Sequence, residues 1–329
     1  MVKRAWVCAF ATTALAFATA PSACKPDLDD RLSIVSTVRV LAVRAEPAEA
    51  APKAPVMFTA LVVDASGRRD DASIDWAYCN DRKPLAELGP VSTSCMQRAS
   101  DGLAELGTGS HVEAAAQETA CRQFGPDVPQ AKTGEPSGRP VDPDATGGYY
   151  QPLRVLLSTD NVDTFTLGRA RLTCGLTGAT SEQLADFKSR YRANANPAID
   201  ALTMAGGTVV ASEGMGEPAV VAPGAHIALR VSWTECRDRT ADCGGAETYA
   251  VFDLTTRSVV DHRESIRAAF FATGGAFVDD RVGRDANDTA TFVDNGWEAP
   301  RGPGRVHLWV VLRDDRGGVG WQSYVVDVR

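Results

Sequence analysis

The chain has 329 residues, of which 44% are hydrophobic and 23% charged; these are globular values at a length sufficient for two cores, which excludes wholesale disorder. Its formal charge is -8, and removing an N-terminal segment that carries Lys3 and Arg4 and no acid takes it to -10. Nucleic acid and anionic lipid surfaces are therefore not expected partners, since either calls for a basic face.

Met1-Val2-Lys3-Arg4 is a short basic start, and residues 5–20 follow without a charge. The run is too short and alanine-rich for a membrane-spanning helix, which needs about 20 strongly apolar residues; it reads as a secretory signal. Two cleavage readings stand. Signal peptidase I would cut after Ala18-Thr19-Ala20 and leave Pro21 first. A lipoprotein peptidase would cut before Cys24, where Ser22-Ala23-Cys24 resembles the end of a lipobox and Pro21 occupies the position of its usual aliphatic residue. The second is preferred. It predicts a signal peptide over residues 1–23, lipidation of Cys24, a tether over 24–35, and an outer-membrane lipoprotein anchored in the membrane by an N-terminal lipid. A secreted or periplasmic form is the alternative.

Strand signals begin after the tether. Residues 56–63 are an apolar run, and Ile74, Trp76 and Tyr78 alternate with Asp75, Ala77 and Cys79, the period-2 pattern of a strand with a buried face. Residues 80–150 are rich in Pro, Gly, Ser and Asp and hold Cys95 and Cys121. This is read as a disulfide-stapled insertion, because a bare loop of that length is unusual. A short helix over residues 111–124, capped by Ser110 with Glu113, is expected inside it. Arg169 to Cys174 alternates again as a strand. Thr180-Ser181-Glu182-Gln183 offers a capping box for a helix with Leu184, Phe187 and Tyr191 on one face, and Asn194-Ala195-Asn196-Pro197 ends it at a domain boundary. Ile227, Leu229, Val231 and Trp233 alternate as a strand. Residues 306–312, the turn Arg313-Asp314-Asp315-Arg316-Gly317-Gly318 and residues 321–328 read as a terminal hairpin.

Eight cysteines are present. Cys8 lies in the signal and Cys24 is the lipid site; the remaining six in an exported chain read as disulfides. Spacing assigns only Cys236–Cys243. Cys79, Cys95, Cys121 and Cys174 are expected to form two bridges within the N-terminal half, in a pairing left open. No Cys-x-x-Cys pair accompanies the scattered His111, His226, His262 and His307, so zinc is not expected.

Glu46-Pro47-Ala48 recurs as Glu217-Pro218-Ala219, and each copy precedes an apolar strand. Prolines interrupt an edge strand and force a crossover before the next strand. This pattern resembles the first strands of bacterial immunoglobulin-like modules. Trp297-Glu298-Ala299-Pro300, Pro303-Gly304 and the closing Val310 to Gly318 are similar to the last strands of such modules, including the PKD type. The resemblance covers about residues 36–79 and 198–329 and implies an all-β architecture of two Ig-like β-sandwich domains in tandem, at residues 36–193 (with the 80–150 insertion and a short helix before the linker) and 194–329. It implies no activity.

Candidate sites are few. Asp279, Asp280, Asp285 and Asp288 could place oxygens around calcium, though without EF-hand spacing; the plainer reading is a solvated loop. His307 shares a strand face with Trp309 and Val311 without a nucleophile motif, and reads as a packed or exposed side chain rather than a general base. Trp321, near the terminal turn, is the best candidate for an exposed aromatic binding platform. The expected role is non-catalytic, binding or structural, in the cell envelope, with an envelope protein or glycan as partner and no cofactor. The alternatives are an envelope hydrolase using carboxylates of the insertion, and a calcium- or carbohydrate-binding adhesion module.

Overall fold

A computed structural model describes residues 32–81, 91–124, 146–159, 162–176, 179–236 and 243–329. The signal, Cys24 and parts of the insertion (82–90 and 125–145) lie outside the described residues. Two β-lobes follow one another.

The first lobe is built from β1 (Arg39–Glu46), β2 (Glu49–Ala50), β3 (Pro55–Asp64), β4 (Gly67–Arg68), β5 (Ile74–Cys79), β6 (Leu103–Thr108), β7 (His111–Ala115), β8 (Gly148–Ser158) and β9 (Asp163–Thr173), with a single turn of helix, α1 (Ala120–Phe124). One sheet runs β1-β3-β4, with β7 also paired to β3; the facing sheet runs β2-β9-β8-β5-β6. Ile74, Trp76 and Tyr78 of β5 point into a shared core with Phe58, Val62, Leu153 and Val155, as the alternation requires. Phe58 meets Tyr78 edge to face, with centroids 5.9 Å apart, a favoured aromatic geometry.

The helix expected over 111–124 is corrected. Residues 111–115 form β7, pairing antiparallel with β3 from Thr59↔His111 to Pro55↔Ala115, and only Ala120–Phe124 is helical. Val112 and Ala114 alternate with the exposed His111, Glu113 and Ala115 and pack on the core. A two-residue period with a partner strand available outweighs a local capping signal, because tertiary burial routinely overrides propensity. The insertion is thus partly sandwich: β6 and β7 arise within it.

A connecting helix, α2 (Ser181–Arg190), carries the expected capping box, in which Gln183 N–H donates to Thr180 Oγ1 and Thr180 N–H donates to the Gln183 side chain. Phe187 is its buried residue.

The second lobe contains β10 (Ala201–Met204), β11 (Thr208–Val209), β12 (Ala219–Val221), β13 (His226–Ser232), β14 (Thr248–Asp253), β15 (Ser258–Arg263), β16 (Ile266–Ala272), β17 (Ala276–Phe277), β18 (Arg281–Arg284), β19 (Phe292–Glu298), β20 (Gly304–Asp314) and β21 (Val319–Val328). Its sheets run β11-β10-β13-β19-β17 and β12-β21-β20-β16-β18, while β14 and β15 form a separate hairpin. The core between the sheets holds Trp233, Trp297, Phe270, Leu308, Val310 and Tyr324. β20 and β21 make the terminal hairpin, in register from Gly304↔Val328 to Arg313↔Val319.

The Glu-Pro-Ala repeat has a topological counterpart. After Glu46-Pro47-Ala48, β2 leaves the sheet of β1 and pairs in parallel with β9, the last strand of its lobe. After Glu217-Pro218, β12 pairs in parallel with β21, the last strand of the other. The proline interrupts the ladder at the same topological step in both.

A third core joins the lobes. Leu61 and Val63 of β3, with Leu41 and Ala42 of β1, pack against Ala269, Phe271, Trp309 and Val311 of β16 and β20. β3 and β20 are therefore buried on both faces, and the inner sheets of the lobes stack directly on each other. Residues 33–35 add to this arrangement: Val35 N–H donates to Ala272 O and Ala272 N–H to Ser33 O. The chain thus touches the second lobe before it builds the first.

Candidate functional site

The linker between the lobes runs through a buried ionic seam. Arg171 is 3% exposed and pairs at 2.9 Å with Glu49, itself 4% exposed. Glu49 also accepts from the Tyr191 hydroxyl and, at 2.9 Å, from Asn194 N–H. Asn194 Nδ2 reaches Asp314 at 3.2 Å. Arg316 donates to Glu264 at 2.6 Å, to Glu247 at 2.7 Å and to the Arg192 carbonyl at 3.0 Å. Tyr150 hydroxyl donates to Arg316 O, closing the circuit to the first lobe.

Four buried carboxyls here face two guanidiniums, and the imbalance shows in their proton affinities. Burial, reinforced by Asp314, pushes Glu264 up to about 8, and burial pushes Asp314 up to about 6. Burial also raises Glu49, but Arg171, Tyr191 and Asn194 more than offset it and leave this carboxyl below its usual value. Raised carboxyls often mark active sites. Both are nearly fully buried and committed to backbone and linker groups that tie the lobes together, and Asp314 also borders the adjoining groove.

Beside the seam lies an open groove between the lobes, in two compartments that share Arg169 and Arg313. The first, about 530 Å³, is walled by Leu41, Val43, Pro152, Leu167 and Val319. The second, about 500 Å³, is lined by Arg267 and Arg281 with Ser265 and Asp315. The sheet register places these arginines. Arg267 lies directly opposite Arg313 on β20, and β18 sets Gly283 opposite Arg267 and Arg281 opposite Ala269. All four positions share the face turned away from the core that holds Ala268 and Leu312. Arg169, exposed on β9, lies over the Tyr150 ring at 4.5 Å. Among the described residues none of the four arginines has a carboxylate within 4 Å, whereas Arg69, Arg98, Arg230 and Arg305 are all ion-paired. Burial lowers the proton affinity of Arg313, and Arg281 and Arg169 lower it further.

The residues singled out from sequence fall elsewhere. Trp321 is half-buried at the edge of the inter-lobe core, with the Arg44 guanidinium over its ring at 4.7 Å, and it borders a shallow polar pocket with Arg68, Asp70 and Glu213. His307 stacks on Trp309 with centroids 6.1 Å apart, and its Nδ1 lies 3.3 Å from Glu213 Oε1. Asp285 Oδ1 caps the N–H groups of Asn287 and Asp288, while Asp288 accepts from Ala290 N–H and Arg284. Asp279 and Asp280 are exposed and their backbones bond Asn295 and Phe270. The four aspartates are not brought together, and no cluster of three metal-ligating side chains occurs among the described residues. Of the insertion's carboxylates, Glu105 pairs with Arg154, Glu118 with Lys53, and Asp81 accepts from Ser94.

The disulfides are Cys79–Cys95, Cys121–Cys174 and Cys236–Cys243, with Cα separations of 5.6, 5.4 and 5.7 Å. The first pins the segment after β5 and the second ties α1 to the end of β9. The arginine groove was missed from sequence. The available signal was the placement of Arg267, Arg281 and Arg313 at alternating strand positions facing outward, but a strand's partner cannot be read from its own residues.

No family model matches this sequence, and no curated protein does. Among solved structures, the chain is similar to the D00-D0 domain of intimin at 8% identity and a TM-score of 0.23, covering 89% of this chain and 98% of that one. It is similar to the Yersinia pseudotuberculosis adhesin InvE at 13% identity and a TM-score of 0.22, covering 88% of this chain and 58% of that one. A glycosyl hydrolase family 2 member from Bacteroides cellulosilyticus matches at 6% identity and a TM-score of 0.20, over 84% of this chain and 23% of that one.

Proposed function

We propose that this protein is an exported, non-catalytic binding module of the cell envelope, tethered through Cys24, that meets its partner in the inter-lobe groove. The observation that carries the reading is the set of four guanidiniums, without a carboxylate partner among the described residues, converging in an open cleft of an acidic chain. In a chain with 42 acidic residues, none of those described lies within ion-pairing distance of these cations, which fits a site whose counter-charge comes from a ligand. Three disulfides support an oxidising compartment. The inter-lobe core and the ionic seam hold the groove walls in fixed relation, which limits the ordering a ligand must impose.

Two experiments test this. Cells labelled with a palmitate analogue should incorporate it into the wild type and not into Cys24→Ala; equal labelling removes the anchor. The unlipidated Cys24→Ala chain should co-sediment with isolated envelopes in a salt-sensitive way, and the charge reversal Arg267→Glu/Arg281→Glu should abolish this. Undiminished sedimentation of the reversal variant removes the groove as the contact surface.

A further inference from the structure

From the geometry of the groove we infer that it takes an amphiphilic phosphate ester, with the phosphate among Arg169, Arg267, Arg281 and Arg313 and the apolar portion in the adjoining compartment. This rests on the groove being a binding surface and specifies its ligand.

The first argument is local repulsion. Two arginines directly opposite on neighbouring strands, as Arg267 and Arg313 are, destabilise a sheet. Here a third, Arg281, sits one pair further along the same face, and Arg169 reaches in from the other lobe. Gly283 belongs to this arrangement: a Cβ there would stand 2.8 Å from Ile266 O and 3.0 Å from Arg267 Cγ. The third strand thus carries no side chain at the place where one would press on the Arg267 stem. A compact oxyanion among the guanidiniums converts mutual repulsion into charge-assisted hydrogen bonds, and the planar guanidinium fork matches phosphate oxygens.

The second argument is what the nearby groups leave free. Arg313 donates to the Leu41 carbonyl at 2.9 Å, which directs its stem and spends one of its five donors. Asp315 Oδ2 is taken by Ser265 N–H at 3.3 Å and the Ser265 hydroxyl at 3.5 Å. Asp314 borders the compartment too, but its carboxylate oxygens accept from Gly318 N–H at 2.7 Å and Asn194 Nδ2 at 3.2 Å.

The third argument is the neighbouring compartment. A site for inorganic phosphate alone needs no apolar annex, yet Leu41, Val43, Pro152, Leu167 and Val319 wall a space that opens onto Arg169 and Arg313. Charge at one end and apolar surface at the other is the complement of an amphiphile.

The test uses the full mature chain as Cys24→Ala, to remove its own acyl groups, titrated by calorimetry. The probes are inorganic phosphate, phosphatidylcholine vesicles, and the same vesicles doped with phosphatidic acid. Saturable binding of phosphate and of the doped vesicles, weakened about tenfold or more in Arg267→Gln/Arg313→Gln, is the expected result, with plain vesicles inert. Tighter binding of the doped vesicles assigns a lipid as the source of the phosphate; equal affinity per phosphate assigns a soluble ester. Arg230→Gln, whose guanidinium pairs with Asp294 on the opposite sheet, should bind like the wild type. The double variant relieves repulsion and should melt no lower than the parent, so lost binding cannot be ascribed to unfolding. No saturable phosphate binding, or binding unchanged in the double variant, overturns the inference. If envelopes still sediment the chain through the same arginines while phosphate does not bind, the groove stands as a binding surface and only its ligand is wrong.

Discussion

Replacing Arg316 by Met keeps the length of the side chain and removes the guanidinium at the centre of the seam. Arg316 is 2% exposed and ion-pairs with both Glu247 and Glu264, themselves 6% and 1% exposed. Both buried carboxyls would then lose the Arg316 guanidinium, and deleting one partner of a buried pair costs about 3–5 kcal/mol. The loss has a pH signature. Burial raises Glu264 from 4.5 to about 8, so between those values the folded chain holds a proton that the unfolded chain has released, and stability falls as pH rises across the window. Without Arg316 the window extends upward, so the destabilisation is expected to be full near pH 8 and to shrink near pH 5, where Glu264 is neutral in the fold. Urea unfolding followed by tryptophan fluorescence at the two pH values measures it. Adding Glu264→Gln and Glu247→Gln to Arg316→Met should restore most of the stability at pH 8. A loss below about 1 kcal/mol, or one identical at both pH values, would mean that the seam is wet and that the electrostatic reasoning is wrong.

Other expectations follow from the same structure. Arg267→Gln should stabilise the ligand-free protein by about 0.2–1 kcal/mol by relieving the cross-strand repulsion with Arg313, read as a small rise in Tm that vanishes in high salt. Cys121→Ser/Cys174→Ser opens a loop spanning 53 residues and Cys236→Ser/Cys243→Ser one spanning 7; loop-closure entropy ranks the losses at about 4 and about 2 kcal/mol, and the reverse order in urea midpoints would count against it. Trp309→Ala, in the inter-lobe core with no exposed surface, should cost about 3–5 kcal/mol and increase protease cleavage in the linker around Asn194, which a substitution confined to one lobe's own core should not do below its melting range.

The strands with one buried face were the legible part of the fold. In β5 and β13 the alternation alone tells inside from outside, and the structure places Trp76 and Val231 accordingly. The capping box of α2 is local chemistry and was equally readable. Residues 111–115 misled because Ser110 and Glu113 offer a helical cap while the partner that makes them a strand, β3, lies more than 45 residues earlier. The unbroken apolar runs of β3 and β20 held a signal that was not read: strands that are continuously hydrophobic are covered on both faces, and here the second face is the inter-lobe core. The arginine groove was hidden by averaging. A net charge of -8 says nothing about where the positive minority gathers, and only the pairing of β16 with β18 and β20 gathers it.

The contact of residues 33–35 with β16 bears on how the molecule carries load. A pull applied ahead of Ser33 enters the fold at Ala272, on a strand hydrogen-bonded to both β18 and β20, before it reaches any strand of the first lobe. Tension from the N-terminal side is thus delivered to the middle of the second lobe's sheet and shared across the inter-lobe core. Two beads on a string would part at the linker under such a force, whereas this arrangement loads both lobes together and bypasses the linker between them.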